Sequence, residues 1–483
     1  LMKGGVSMLT PIPNNLKAVI ARNNGLRQYL ESLPRDKAYT NRSWLYDGHN
    51  GGIKMSPDQI LEKWCAILDA KLKDGDPSSR MVWEFDTSQK QKWGPQGGHE
   101  SIDELMNDIV LPSFQMGASD VEPAAFSDKD WLQAINMAVK DYKRRRIHGL
   151  LPRSYQNVID YLRVDGKLET NSGWPDFTRR QKPAVRAAAI RAAVDGSWKT
   201  YPAIALFRRY NGKTRLVWMF PMSANLVEAS FVQPLMEAIS RTDLIDYFFS
   251  PWKGFDQVRK RITEVYNSGR FVAASDFTST DAHFQKSASR QVLKVLTELF
   301  HPSCRAELEE SVMHMHTIPL VVGPDKMLVG DHGVSSGSNW TNLIETIFDH
   351  ILGYYVLIKI QRARGLYGIG DDMAWVTSSK EVLTQLPHIL EAIGKSVGQV
   401  IKSEKTTADE NKVKTLQRLF IRGYRRPDGL LRGVYSTIRA LKSSVYPERE
   451  HWDWTESDFC VRQYQILENC VDHPLFEEFV AFV

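Results

Sequence analysis

The chain has 483 residues, 42% of them hydrophobic and 25% charged, which excludes a disordered chain and allows several subdomains around a large interior. No apolar run approaches the roughly 18 to 20 residues that a bilayer span needs, so no membrane span is expected. The net charge of +5 is mild, so attraction to a polyanion has to come from where the cations sit. Four cysteines without a Cys-x-x-Cys spacing, and no secretory leader, fit a reduced intracellular protein without structural zinc.

In chain order, the first fifty residues read as an irregular arm that opens on Leu1, which fits a fragment or an appended remnant. Ser56-Pro57-Asp58-Gln59 is a helix start, with Ser56 as cap and Gln59 three residues on, and Ser127 is expected to open a second helix. Lys143 to Arg146, Arg179 to Lys182, and Arg422 with Arg425 and Arg426 are dense basic clusters, each either a solvated face or a phosphate contact.

Asn211-Gly212 between Phe207-Arg208-Arg209-Tyr210 and Lys213 to Trp218 predicts a tight hairpin. Its four cations, Arg208, Arg209, Lys213 and Arg215, suit a triphosphate grip. A P-loop would need a glycine at Phe207, which disfavours an ATPase.

Phe271 to Ser275 predicts a strand ending in Asp276, followed by a helix capped by Thr280 that would turn Asp281 to a nucleotide sugar. His314 and His316 would share one side of a strand but lack metal-binding partners and are read as structural. Ser336-Gly337 leads into a long helix beginning near Thr341 and Asn342, where loop amides and hydroxyls can hold a template or nucleotide without reading its base. Leu366-Tyr367 and Met373 to Val376 flank Ile369-Gly370-Asp371-Asp372, a hairpin with two carboxylates at its tip. Downstream, Lys405 is a candidate proton donor to a leaving pyrophosphate, and Leu419 to Tyr424, with Arg422, a candidate hairpin near a primer strand. Short strands alternating with amphipathic helices make the chain α+β.

Carboxylates on two converging strand ends, Asp276 with Asp371 and Asp372, suit a pair of divalent ions roughly 3.5 to 4 Å apart, the arrangement of in-line phosphoryl displacement. Nucleotidyl transfer is the leading expectation.

In this order the segments resemble viral RNA-dependent RNA polymerases, over residues from about 170 to 426. Thr170 to Pro175, with Ser172, Gly173 and Pro175, looks like that family's template-entry motif. Arg208 to Arg215 is similar to its basic fingertip, and Asp276 with Asp281 to its first catalytic motif. Ser336-Gly337 with Thr341 is similar to the second and Gly370-Asp371-Asp372 to the third, while Lys405 matches the proton donor and the Arg422 segment the primer grip. The Ser-Gly-Ser-x-x-Thr-Asn form most resembles polymerases of small double-stranded RNA viruses of picobirnavirus and partitivirus type. Where many related enzymes carry a ribose-sensing asparagine, this chain has Glu345, for which Asn342 is no positional substitute.

The resemblance implies a right-hand fold with an antiparallel palm packed on helices. Its divisions are an arm and bridging helix (1–85), fingers (86–270), palm (271–285 and 336–424), a fingers insertion (286–335) and thumb (425–483). It implies two Mg²⁺ ions, or Mn²⁺ in their place, and RNA template, nascent RNA and ribonucleoside triphosphates as partners, with capsid protein as a further one. The expected location is the virion interior and host cytoplasm. Two alternatives remain open: a reverse transcriptase, which usually carries an aromatic where Asp281 stands, and a non-catalytic RNA-binding structural protein.

Overall fold

In the computed structural model, residues 8–33, 54–97, 100–448 and 453–483 are described; the rest of the expected arm, 1–7 and 34–53, lies outside them. The described part of the arm is regular rather than irregular. Strand β1 (Leu9–Pro11) is followed by helices Asn14–Arg22 and Asn24–Ser32, which bury Leu16 with Ile20 and Leu26 with Leu30. Those i, i+4 pairs are too short a pattern to stand out among Asn, Gly and Arg, and tertiary burial makes them helical.

The Pro57–Leu72 helix has the expected capping box of Ser56 and Gln59. The second helix, Lys129–Lys143, starts one residue later than expected: Asp128 caps it, its side chain accepting from Asp130 N, while Ala124–Ser127 forms a 3₁₀ turn.

A five-stranded sheet runs β1-β6-β5-β2-β3, from β2 (Ala203–Tyr210), β3 (Lys213–Met219), β5 (Leu320–Val321) and β6 (Lys326–Leu328). The palm sheet is antiparallel throughout, in the order β7-β8-β4-β9. Its strands are β4 (Phe271–Asp276), β7 (Ala363–Ile369), β8 (Asp372–Thr377) and β9 (Thr407–Ala408). A separate hairpin pairs β10 (Lys412–Thr415) with β11 (Arg418–Ile421). The Trp340–Ile360 helix lies along β7, and its nearly continuous buried face needs no amphipathic period.

A second core joins Ile60, Trp64 and Leu68 of the Pro57–Leu72 helix to Ile438, Leu441, Ile466 and Phe479 near the chain's end. At its heart Asp86 is fully buried and accepts hydrogen bonds from Ser436, Thr437, Ile438 N and His473. Burial opposes its charge, yet those partners hold its carboxyl below the ordinary range. His314 and His316 sit at and just after the end of the Arg305–His314 helix rather than on a strand. His316 bonds Ser289 and the His332 carbonyl, so it is structural.

Candidate active site

The alternation of β4 carries Asp276 to the strand end, and its ladder partner on β8 is Asp372. Residues so paired in an antiparallel ladder lie about 4.5 to 5.5 Å apart at Cα, so the two acidic tips meet as the sequence predicts. Gly370, at φ +56°, and Asp371 make the two-residue turn, and Phe277 N donates to Asp371 O at 2.9 Å, tying the turn to the end of β4. Thr346 on the long helix accepts from Gly370 N at 2.9 Å. A Cβ on Gly370 would lie 3.1 Å from Asn342 Nδ2 and 3.4 Å from Glu345 Oε2, so both side chains close on the turn.

Asp281 follows in a short helix, Thr280–His283. Thr280 is not its cap: its hydroxyl donates to Phe277 O, and Ser279, with φ +50°, makes the bend. Ser113 donates to Asp281 O, and a Cβ on Gly333 would lie 1.8 Å from that oxygen, so the loop at Gly333 seats it.

Burial raises every acid here, and for all but Asp276 the neighbouring carboxylates add to it. Burial, and then Asp371 and Asp276, push Asp372 up to about 7. Burial and Asp371 push Asp281 up to about 6, although part of its surface meets solvent. Burial raises Asp276, with Lys405 and Lys213 opposing, and raises Asp371, with Arg215 opposing. Glu345 and Asp349 are held well above the carboxylate range by burial and by the other acids, and both Asp349 oxygens are buried without a hydrogen bond.

Among the described residues no three or more Asp, Glu, His or Cys side chains are grouped so that they could hold a metal ion as they stand. The donor set nonetheless fits a divalent cation: hard carboxylate oxygens on adjoining strand ends, repelling one another for want of positive charge. Asp276 and Asp372 line a cavity of about 230 Å³ with Lys405, Arg439 and the β10–β11 turn, Leu416 and Gln417.

The basic hairpin divides its cations. Pairing sets Arg208 opposite Arg215 and Tyr210 opposite Lys213, so Lys213 and Arg215 share one face, whereas Arg209 and Thr214 point the other way, to Glu100. Arg208 stands on the first face but pairs with Glu448 at 2.6 Å. Of the four expected cations, Lys213 and Arg215 are left without a carboxylate partner among the described residues. Gln96 clamps the tip: its carbonyl and Oε1 accept from Gly212 N and Asn211 N, and its Nε2 donates to Tyr446 O, each at 2.8 Å.

Three other expectations shift. Arg422 donates to the Glu410, Tyr266 and Arg270 carbonyls and stacks on Tyr266, so the turn at Leu416 and Gln417, not Arg422, lines the cavity. Ser172 and Gly173 are buried, and a Cβ on Gly173 would lie 2.5 Å from Phe220 O, so they shape their loop, while half-buried Pro175 gives its carbonyl to Asn23. Ser336 bonds Trp218 N, and Gly337 packs on the Trp218 carbonyl, which docks that loop on β3. Thr341 donates to Ser335 O.

Sequence reading missed three groups. Lys92 is driven below the usual lysine range by burial and by Lys213, Arg439, Lys405 and Arg215, which marks one basin of five cations. Arg439 enters it from the Thr437–Val445 helix. Glu228, fully buried, accepts from Asn225, Ser338 and Asn339 N and so holds the loop before the long helix. A lone lysine, arginine or glutamate inside ordinary helical sequence gives no signal of this kind.

Residues 210–441 match the family model of viral RNA-dependent RNA polymerases. A potential RNA-dependent RNA polymerase of human picobirnavirus is 28% identical, over 95% of this chain and 84% of that protein. The crystal structure of a human picobirnavirus RNA-dependent RNA polymerase superposes with a TM-score of 0.80 at 25% identity, covering 98% of this chain and 89% of the other. Its insertion-loop deletion mutant gives the same score and identity, covering 92% of that chain. Among the described residues no helix is long and apolar enough to cross a membrane.

Proposed function

We propose that this chain, similar over residues 210–441 to the viral RNA-dependent RNA polymerases and over nearly its whole length to a picobirnavirus polymerase, is itself such an enzyme and copies an RNA template from ribonucleoside triphosphates by two-metal nucleotidyl transfer. The observation that carries the mechanism is the pairing of Asp276 with Asp372 beside the Asp371 turn, opposite the basin of Lys92, Lys213, Arg215, Lys405 and Arg439.

Asp276, Asp371 and Asp372 would hold two Mg²⁺ ions, or Mn²⁺ in their place. Such ions, when bound, acidify an attacking hydroxyl and neutralise phosphate charge. The remaining work belongs to the chain. Lys213 and Arg215, on one face of a clamped hairpin, bind and orient the triphosphate, and preformed cations of this kind act where charge develops. Lys405, at the cavity of Asp276 and Asp372, is placed to give a proton to the departing pyrophosphate. Asp281, exposed beside the acidic turn, can accept from a sugar hydroxyl, with Glu345 and Asn342 closing the turn behind it. The turn at Leu416 and Gln417 forms the floor on which a primer end or first nucleotide would rest. RNA template, nascent RNA and ribonucleotides are the partners, capsid protein a further one, and the virion interior and host cytoplasm the place of action.

Extension of a defined RNA template is the test. Synthesis should require Mg²⁺ or Mn²⁺ and prefer ribo- over deoxyribonucleotides in direct competition. Salt-sensitive RNA binding with no synthesis under any divalent ion would overturn the reading.

A further inference from the structure

The Trp340–Ile360 helix and β7 run together away from the acidic turn, and at their other end they wall a second cavity of about 230 Å³. Its chemistry is the opposite of the catalytic end. Three arginines reach it, Arg145, Arg261 and Arg364, among the rings of Tyr247, Phe248 and Tyr354.

The acids around this cavity leave positive charge over. Arg145 is spent on Asp243 and the Asp141 carbonyl. Asp141 in turn accepts from His350 at 3.0 Å and from Tyr354 and Arg144, and although burial opposes its charge, these partners hold its carboxyl down to about 2. Arg261 has Glu264 only at 3.9 Å, gives one bond to Leu366 O at 3.3 Å, and leaves its buried Nε without a partner. Burial, with Arg270 and Arg364 adding to it against Glu264 and Tyr247, holds that guanidinium below its ordinary range. Arg364 is exposed on the edge strand β7, and its guanidinium makes no hydrogen bond or ion pair among the described residues. Two under-used guanidinium groups beside a tyrosine ring that is 48% exposed, and already lies 5.1 Å from the Arg261 guanidinium, form a surface for a planar ring joined to an anion.

We infer that this cavity binds a nucleoside phosphate, with Arg364 and Arg261 on the phosphate and Tyr247 against the base. The volume is below the roughly 300 Å³ at which pockets for drug-sized ligands begin, so the ligand is one nucleotide unit with part of it in solvent. The same chemistry is offered by a free mononucleotide and by the phosphorylated end of an RNA strand. The site also shares its walls with the catalytic hairpin. Gly353 and Gly365 pack backbone to backbone, a Cβ on Gly365 would lie 2.8 Å from Met373 Cε, and Met373 directly follows Asp372. The inference does not rest on the proposed catalytic mechanism.

The test is photolabelling of the full chain with 8-azidoadenosine 5′-monophosphate in EDTA, with adducts mapped by mass spectrometry. Labelling of peptides carrying Tyr247 or Tyr354, at least tenfold weaker in Arg364→Glu, is the expected result, with an unchanged melting temperature of that variant serving as the check on its fold. Unchanged labelling in Arg364→Glu, or adducts confined to peptides of the catalytic cavity, would overturn the inference. Protection by AMP alone identifies a free nucleotide as the ligand, and protection by a short 5′-phosphorylated RNA identifies a strand end. Protection by neither also overturns it.

Discussion

Two hairpins of this molecule are built alike and used differently. The palm hairpin of β7 and β8 and the fingers hairpin of β2 and β3 each turn on two residues, with positive φ at Gly370 in one and at Asn211 and Gly212 in the other, and each carries like charges at its tip. In the palm the carboxylates make no ion pair among the described residues, and burial, with their repulsion of one another, pushes Asp371 and Asp372 toward protonation. In the fingers two of the four are neutralised, Arg208 by Glu448 and Arg209 by Glu100, which leaves Lys213 and Arg215 to face Asp276, Asp281 and Asp371. Charge held without a partner is costly to the fold and is retained where a ligand supplies the missing counter-charge.

The sharpest way to break this comparison is Asp371→Asn. Synthesis should fall by roughly 10³-fold in single-turnover extension, the scale of losing one preorganised electrostatic group, while the melting temperature holds or rises because a repulsion is removed. Retained synthesis would take Asp371 out of the mechanism.

In the fingers, Lys213→Ala and Arg215→Ala should each raise the nucleotide KM about tenfold or more, the size of one charge-assisted hydrogen bond. Arg209→Ala should leave KM within about twofold, and an equal effect of all three would show that strand alternation does not divide the tip.

Glu228, which secures the loop packed on β3, is raised by burial to about 7 despite accepting from Ser338 and Asn225. A carboxyl whose folded pKa lies above its unfolded value stabilises the fold at low pH. That contribution is lost as pH climbs from about 4.5 toward 7, with a limiting slope near 1.4 kcal/mol per pH unit. Melting curves across this window should be flatter in Glu228→Gln than in the parent; parallel curves would refute the assignment.

The smallest effect belongs to Arg208 and Glu448. Arg208 is 56% exposed, so a double-mutant cycle on stability should give a coupling under about 1 kcal/mol.

Much of this was legible along the chain. Asn211-Gly212 and Gly370-Asp371 mark their turns because few residues accept a positive φ. The end of β4 at Asp276 and the start of the long helix near Thr341 also follow from local pattern. The helices of the N-terminal arm did not show, since their stability comes from Leu16, Ile20, Leu26 and Leu30 meeting a distant core. Nor did the contacts of Arg208, Arg209 and Arg422, which are made with Glu448, Glu100 and three backbone carbonyls outside their own local segments.

The amino-acid order alone determined the turns, the strand ends and the residue types able to hold metal and phosphate, because backbone sterics and side-chain period act between near neighbours. Only the tertiary structure decided which of those charges remain unpaired, how Lys92 and Arg439 join the basin, and where a second cluster of arginines gathers. Coulomb interaction and desolvation are set by distance through space, and residues far apart in sequence supply them.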